Sequence, residues 1–237
     1  MRVLNICGIE VFSSVYEYLD SNMYFFFSGE GTAIIIDPHK DEDCLSLLKQ
    51  RKTKKAIIIL THEHTDHTSG IYWYQERFES ELICQKKCAE YLSNKRSMRP
   101  LLTYLILEEK DHSEGTHLLE KFKNEYVIRT YEANKTFTEQ YEFRVGDFDF
   151  HLEHIPGHSK GSSLIVINST IVFTGDSLMK VNPVITRFPG SDHNLYIEYT
   201  LPKLSALNPE MTILPGHGNP FVLKDLIVNG KLNIECR

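Results

Sequence analysis

Thr61-His62-Glu63-His64-Thr65-Asp66-His67 decides how this chain is read. It sets three histidines and an aspartate within six positions, directly after Ala56-Ile57-Ile58-Ile59-Leu60. That run is short, apolar and rich in β-branched side chains, which predicts a buried strand. The polar cluster therefore falls on the loop at the strand's C-terminal end, where open α/β sheets place their chemistry. Imidazole and carboxylate together suit zinc, iron or manganese. On a helix of 3.6 residues per turn, positions 62 and 64 would point about 200° apart, so they converge only from a loop. This separates the motif from the helical His-x-x-x-His zinc pair.

Outward from the motif, strands and helices alternate. Met23 to Ser28 and Thr32 to Asp37 read as a hairpin about Glu30-Gly31, ended by Pro38. Asp41 to Lys52 carries Cys44, Leu45, Leu47 and Leu48 at amphipathic helical spacing. Gly70 to Phe78 reads as helix, Leu82-Ile83-Cys84 as a short strand and Lys86 to Leu92 as another helix. The rhythm resumes from about Tyr126. Tyr141 to Val145 and Phe148 to Ile155 are strands about Gly146-Asp147. Ser163 to Ile167 and Thr170 to Thr174 form a hairpin over Asn168-Ser169. Asn194 to Leu207 is a helix, and Met211 to Leu214 the final strand. Residues 94–125 interrupt this order: Leu101 to Leu107 is apolar without an obvious partner, Asp111 to Gly115 is a polar break, and Leu118 to Tyr126 predicts one more helix. An insertion of this kind beside a site predicts a lid, with a homodimer contact as the alternative. Residues 1–237 otherwise read as a single domain.

Three further strand ends carry ligand-type residues, each preceded by glycine. They are Pro156-Gly157-His158-Ser159-Lys160-Gly161, Thr174-Gly175-Asp176-Ser177 and Pro215-Gly216-His217-Gly218. Glycine permits the tight backbone that brings a short polar side chain into a site. Taken with the first loop, and in this order, the corners resemble the metallo-β-lactamase fold superfamily, and within it the glyoxalase II-like hydrolases. The resemblance runs from about Met23 to Gly218, residues 94–125 excepted. It implies an α/β (α+β) fold of αββα form, two mixed β-sheets face to face with helices outside and metals at one edge. By position, His62, His64 and His158 would hold one divalent ion, and Asp66, His67 and His217 a second. Asp176 would bridge them, which makes Asp66 and Asp176 the candidate catalytic carboxylates. The ions implied are two Zn2+, with iron or manganese as alternatives. The activity implied is hydrolysis of a thioester or similar activated acyl bond by a hydroxide shared between the metals. A lactonase would use the same centre. A persulfide dioxygenase, with one iron on two histidines and an aspartate, is the reading from another class, and a non-catalytic binding module the fourth.

The departures are informative. The secreted β-lactamases of this fold carry a signal peptide and place Cys or Ser where Asp176 stands, which points away from antibiotics. Flavodiiron reductases have Glu where His64 stands and an added flavodoxin domain. Glyoxalase II proper adds a helical domain after the last histidine and a Gly-Arg pair, whereas 20 residues follow His217 here and Thr186 precedes Arg187. Candidate substrate contacts are Lys160, Arg187, His193 and Tyr104. Asp37 reads as an orienting residue, Glu63 and Thr65 as spacers, and His39 as a turn residue. His151 and His154 read as structural, and His112 and His117 as solvated.

Composition narrows the partners. The chain has 237 residues, 41% hydrophobic, with a net charge of −6. Its short basic clusters, Arg51–Lys55 and Lys95–Arg99, read as solvated helix ends rather than a nucleic-acid stripe. No apolar run reaches the ~20 residues of a membrane span, and Met1 to Cys7 lacks a secretory apolar core. The five cysteines are irregularly spaced, and Cys84 and Cys88 read as packing residues. The expected partner is a small-molecule acyl substrate, with neither nucleic acid nor membrane, in a reducing cytoplasm.

Overall fold

Phe26 shows how the two sheets are joined. In the computed structural model, which describes residues 1–29 and 31–237, its ring lies 5.0 Å from that of Phe148 and 6.4 Å from that of Phe173. Successive residues of a strand face opposite sides. Tyr24 and Phe26 therefore enter the space between the sheets, while Met23 and Phe25 pack under the outer helices. Truncating Phe26 to Ala would cost about 3–5 kcal/mol. The turn residue Glu30 lies outside the described residues.

The first sheet has seven strands in chain order: β1 (Arg2–Ile6), β2 (Ile9–Val15), β3 (Asn22–Ser28), β4 (Thr32–Ile36), β5 (Lys55–Ile59), β6 (Glu79–Gln85) and β7 (Lys135–Phe137). β1 to β4 pair antiparallel, and β4 to β7 pair parallel. The second sheet contains β8 (Gln140–Val145), β9 (Phe148–His154), β10 (Ser163–Ile167), β11 (Ile171–Gly175), β12 (Thr212–Pro215) and β13 (Phe221–Val222), ordered β13-β12-β11-β10-β9-β8. Only β11 and β12 pair parallel there. Helices α1 (Glu42–Gln50), α2 (Thr65–Thr68), α3 (Ile71–Gln75) and α4 (Lys86–Leu92) are threaded among β4 to β6 and beyond. Cys44, Leu48, Ile71, Tyr74, Cys88 and Leu92 from this set pack on the outer face of the first sheet. Tyr196 and Leu204, from the helix near the C-terminus, cover the second sheet with Leu164, Val172 and Ile213. The four layers are helix, sheet, sheet, helix, as the resemblance implies.

Local chemistry explains the individual elements. Asp41 caps α1 by accepting from the Cys44 amide at 2.7 Å. Asn168 and Ser169 both have positive φ (48° and 54°), the two-residue turn that matches strand twist. Several expectations are corrected. Arg2 to Val15, which carries no strong strand signal in the sequence, forms the β1–β2 hairpin that extends the first sheet, with Phe12 opposite Phe25. No strand lies near Tyr126: residues 126–134 contain neither helix nor strand, and β7 begins at Lys135. The expected helix at 194–207 spans α7 (His193–Leu195), a π turn at Tyr196–Thr200 and α8 (Leu201–Ser205). It widens just ahead of Pro202, which has no amide hydrogen to give. β12 is not the last strand; β13 and a small hairpin of β14 (Ile227–Val228) and β15 (Lys231–Leu232) follow.

The insertion is a pair of helices, α5 (Leu101–Glu114) and α6 (Leu118–Glu125). Gly115 ends α5 in the left-handed conformation. Leu107 and Phe122 are buried against Tyr16 and Tyr18, which follow β2. Part of the unpartnered apolar run therefore finds its partner on the body of the molecule. Among the described residues, no helix is long and apolar enough to cross a membrane.

Candidate metal centre

The centre lies where β4, β5, β11 and β12 end. Asp37, just past β4, has a positive φ of 54° and its carboxylate accepts three hydrogen bonds. They come from the Thr61 amide at 2.7 Å, the Thr61 hydroxyl at 2.5 Å and His67 Nδ1 at 3.0 Å. The loop after β5 is thus pinned, and His67 Nε2 is turned to the site, where a metal would take the place of its proton. His158 is fixed likewise: its Nδ1 donates to the Ile185 carbonyl at 2.8 Å.

Two sets of ligand atoms result. His64 Nδ1 lies 3.1 Å from His62 Nε2 and 3.0 Å from His158 Nε2. Asp66 Oδ2 lies 3.2 Å from His67 Nε2 and 3.3 Å from His217 Nε2. Metal–nitrogen bonds of ~2.05 Å give a tetrahedral edge of about 3.3 Å, close to these separations. Asp176 stands between the sets, with Oδ2 3.6 Å from His158 Nε2 and 3.4 Å from His217 Nε2, and Oδ1 3.5 Å from His67 Nε2. The seven residues singled out in the sequence are thus brought together. His67 Nε2 and Asp176 Oδ1 are buried without hydrogen-bond partners. An unpaired buried nitrogen beside an unpaired buried carboxylate oxygen is unfavourable unless a cation joins them, so the donor set fits a metal.

The electrostatics divide the centre in two. Burial pushes His62 well below the usual histidine range, lowers His158, and takes His64 down to about 3. These three imidazoles are neutral, the form that could bind a metal. Burial also opposes charge at His67 and His217, but Asp66 and Asp176 outweigh it; His67 is held well above its ordinary value and His217 is raised to about 10. Asp66 and Asp176 are held well below the carboxylate range by the same neighbours, again against burial.

All three glycine corners are steric requirements; a Cβ on Gly157, whose φ is 140°, would stand 2.7 Å from Tyr196 Cα. Gly175 has φ of 49°, and a Cβ there would stand 2.8 Å from Thr61 Cβ. A Cβ on Gly216 would overlap Asp176 Oδ1 and lie 2.9 Å from His67 Cε1.

Glu63 is not the spacer that sequence reasoning made it. Its buried carboxylate accepts from Ser159 Oγ at 2.9 Å and from the Gly161 amide at 3.2 Å. It ties the first loop to the His158 corner, and burial raises it against these bonds. A charged residue between two ligands gives no sequence signal of its direction.

A cavity of about 670 Å3 opens over His64, Asp66, Asp176 and His217. Leu101, Leu102 and Ile106 of α5 form one wall, and Met179, Ile185 and Phe188 line it as well. Lys160 borders it, as expected, together with Arg96 and Arg99, which line a cavity instead of forming a solvated helix end. The other three substrate candidates lie elsewhere. Tyr104 packs on Phe122, with ring centroids 6.1 Å apart. His193 Nδ1 pairs with Thr186 Oγ1 at 2.9 Å. Arg187 is exposed outside the lining, where its neighbour Phe188 points in instead. His151 pairs with Glu142 at 3.0 Å, and His154 bonds the Lys160 carbonyl at 2.9 Å. His112 and His117 are exposed.

Fold and site together define a class: the chain belongs to the metallo-beta-lactamase superfamily, whose family model matches residues 17–217. The members of that superfamily are mostly metal-dependent hydrolases. The chain is similar to hydroxyacylglutathione hydrolase GloC of Haemophilus influenzae, 24% identical over 201 residues, covering 84% of this chain and 85% of that protein. Among solved structures it resembles the BLEG-1 B3 metallo-beta-lactamase, with a TM-score of 0.70 at 22% identity over 89% of this chain and 93% of that one. It also resembles TTHA1623 in a di-iron-bound form, with a TM-score of 0.62 at 24% identity over 90% and 95% of the two chains. The likeness to these structures is one of fold.

Proposed function

We propose that this chain is a dinuclear metallohydrolase that cleaves a thioester or similarly activated acyl bond. The observation that carries the reading is Asp176, whose carboxylate stands between two complete ligand sets. His62, His64 and His158 would hold one ion, Asp66, His67 and His217 the other, and zinc suits this mixture of imidazole and carboxylate. Bound there, the ions would supply an activated water near neutral pH and a positive charge for an oxyanion. The chain's own residues do the rest. Asp37 and Ile185 fix the tautomers of His67 and His158, so that both present a lone pair. Glu63 holds two metal loops together. The α5 wall excludes water from an acyl group above the centre, which strengthens every electrostatic contact beneath it.

The cavity wall supports a substrate class. Leu101, Leu102 and Ile106 suit an apolar acyl chain. Arg96, Arg99 and Lys160 have no carboxylate partner among the described residues, on a chain of net charge −6. Three unpaired cations beside an apolar wall favour a leaving group that carries negative charge. The GloC relative, named as a hydrolase of a glutathione conjugate, supports the acyl-transfer class. The test is a panel of acyl thioesters on anionic and neutral thiols, with lactones alongside. Faster turnover of anionic thioesters is expected. Turnover confined to lactones would replace the thioesterase reading with a lactonase. Oxygen uptake on a persulfide by protein holding one iron would replace both.

A further inference from the structure

Ser21 and Asn22, where β3 begins, grip the main chain around two ligands of the second set. Both are buried, so water does not compete for their bonds. Asn22 Nδ2 donates to the Pro215 carbonyl at 3.0 Å and to the Gly218 carbonyl at 2.8 Å. Both partners can only accept, so the amide nitrogen of the side chain, not its oxygen, faces them. The main-chain amide of Asn22 donates to the Gly216 carbonyl at 2.7 Å. Three carbonyls of the corner at 215–218 thus accept from one residue, and the Tyr24 hydroxyl adds a bond to Pro215 at 2.9 Å. Ser21 forms an antiparallel bridge with His217 itself. Its Oγ donates to the main-chain carbonyl of Asp66 at 3.1 Å. The first set is held elsewhere, His158 by the Ile185 carbonyl and His62 by the Thr61 hydroxyl at 3.0 Å.

The sequence of the corner explains why it needs this grip. His217 lies between Gly216 and Gly218, and Gly218 has φ of 83°. A backbone with glycine on both sides of the ligand has little steric preference of its own, so its direction comes from bonds made from outside. Asp66 approaches the same point from the other sheet, on the loop after β5, while His217 follows β12. Asp66 Oδ2 and His217 Nε2 nevertheless stand 3.3 Å apart. Two adjacent residues of the first sheet hold both, Ser21 at the Asp66 carbonyl and Asn22 at the His217 corner.

We propose that Ser21 and Asn22 are positioning residues of the second ion site, setting the spacing between Asp66 and His217. The proposal rests on the dinuclear reading above. Without the donors of Asn22 the glycine corner relaxes, and His217 moves relative to Asp66. Metal sites tolerate only about 0.2 Å of such movement. The loss falls on the second site, because the bonds of Ser21 and Asn22 end on Asp66 and the His217 corner.

Zinc affinity at both sites of the full-length protein, measured by competition with chelators, tests this. Wild type should bind two zinc ions. Asn22→Ala should weaken the second about ten- to hundredfold, the scale for groups that orient metal ligands, and leave the first within about twofold. Ser21→Ala removes one hydroxyl and should weaken the second ion about fivefold, the worth of one hydrogen bond; it decides alone if Asn22→Ala fails to fold. With His62→Ala, Asn22→Ala should still weaken the ion that remains, and with His217→Ala it should change nothing further. Phe25→Leu lies on the same strand but packs under the outer helices. It should lower the melting temperature of the stripped protein and leave both affinities alone. Two zinc ions in wild type, with both or neither weakened in Asn22→Ala and Ser21→Ala, would overturn the proposal and leave the dinuclear reading standing. So would a further loss in the His217→Ala background, or a loss at the second site in Phe25→Leu equal to that in Asn22→Ala. A wild type that binds one zinc ion would overturn the dinuclear reading and this proposal with it.

Discussion

Gly216→Ala isolates the geometry of the centre from the stability of the fold. Gly216 does not have positive φ, so an alanine backbone is tolerated there, and the effect is steric. The added Cβ would overlap Asp176 Oδ1 and stand 2.8 Å from the Gly175 carbonyl carbon and 2.9 Å from His67 Cε1. Ordinary contact begins near 3.5 Å, so the Asp176 carboxylate must retreat by roughly 1 Å. Metal ligands tolerate about 0.2 Å. A displacement of that size removes one ligand from both sets at once. A 1 Å misplacement in an active centre costs about 10²-fold in rate, roughly 2.7 kcal/mol of barrier. The metal-stripped protein should lose only the ~1–3 kcal/mol typical of overpacking. Gly218→Ala is the control. Its φ of 83° strains an alanine, but no neighbour lies within 4 Å of the new Cβ. It should lower stability by about 1–2 kcal/mol and leave metals and rate alone. The assay is metal per chain by mass spectrometry, thioester turnover, and thermal melts of stripped protein. Gly216→Ala with two metals and a rate within threefold of wild type would refute the bridging role of Asp176. So would an equal metal loss in Gly218→Ala.

Three further outcomes are expected. Glu63→Ala leaves Ser159 Oγ and the Gly161 amide without this acceptor, which should destabilise the stripped protein by about 1–3 kcal/mol in urea melts and weaken the first metal; an unchanged melt would remove Glu63 from the framework. Serine at Leu102 and Ile106 should raise KM at least tenfold for long acyl chains and little for acetyl, and equal loss on both would reject the α5 wall as an acyl site. Because His217 is raised to about 10, its folded form holds a proton at neutral pH that a metal must displace. Metal affinity should therefore climb tenfold per pH unit for each proton displaced, read by competition with a chelator at pH 6, 7 and 8. The stripped protein should respond with the opposite sign. Stabilisation by His217 is complete below the unfolded value near 6.5 and lost as pH rises toward about 10, while the lowered His62, His64 and His158 withdraw stability as pH falls below 6.5. A stripped protein whose melting temperature rises steadily from pH 6.5 to 10 would contradict the His217 assignment.

The centre was legible because His158, Asp176 and His217 each follow a glycine at a strand end, a local pattern with a steric cause, and because His62, His64, Asp66 and His67 crowd the loop after one buried strand. The sheets were legible where strands are buried on both faces, as in Ala56 to Leu60. The β1–β2 hairpin was not, because residues 2–6 are largely exposed and lack a strong apolar period. Tyr104 looked available in an apolar run, but helical spacing turns it to Phe122 while Leu101, Leu102 and Ile106 line the cavity. Arg96 and Arg99 resembled a solvated helix end because their position over the cavity depends on how the insertion folds back. The direction of Glu63 depends on contacts distant in sequence, Ser159 and Gly161.

The central claim is that two ions act together across Asp176. Titrating stripped protein with zinc while following thioester hydrolysis tests it most directly. The account predicts two ions bound per chain, turnover that appears only with the second equivalent, and loss of that second step in His217→Ala. Full turnover at one equivalent, unchanged in His217→Ala, would contradict it.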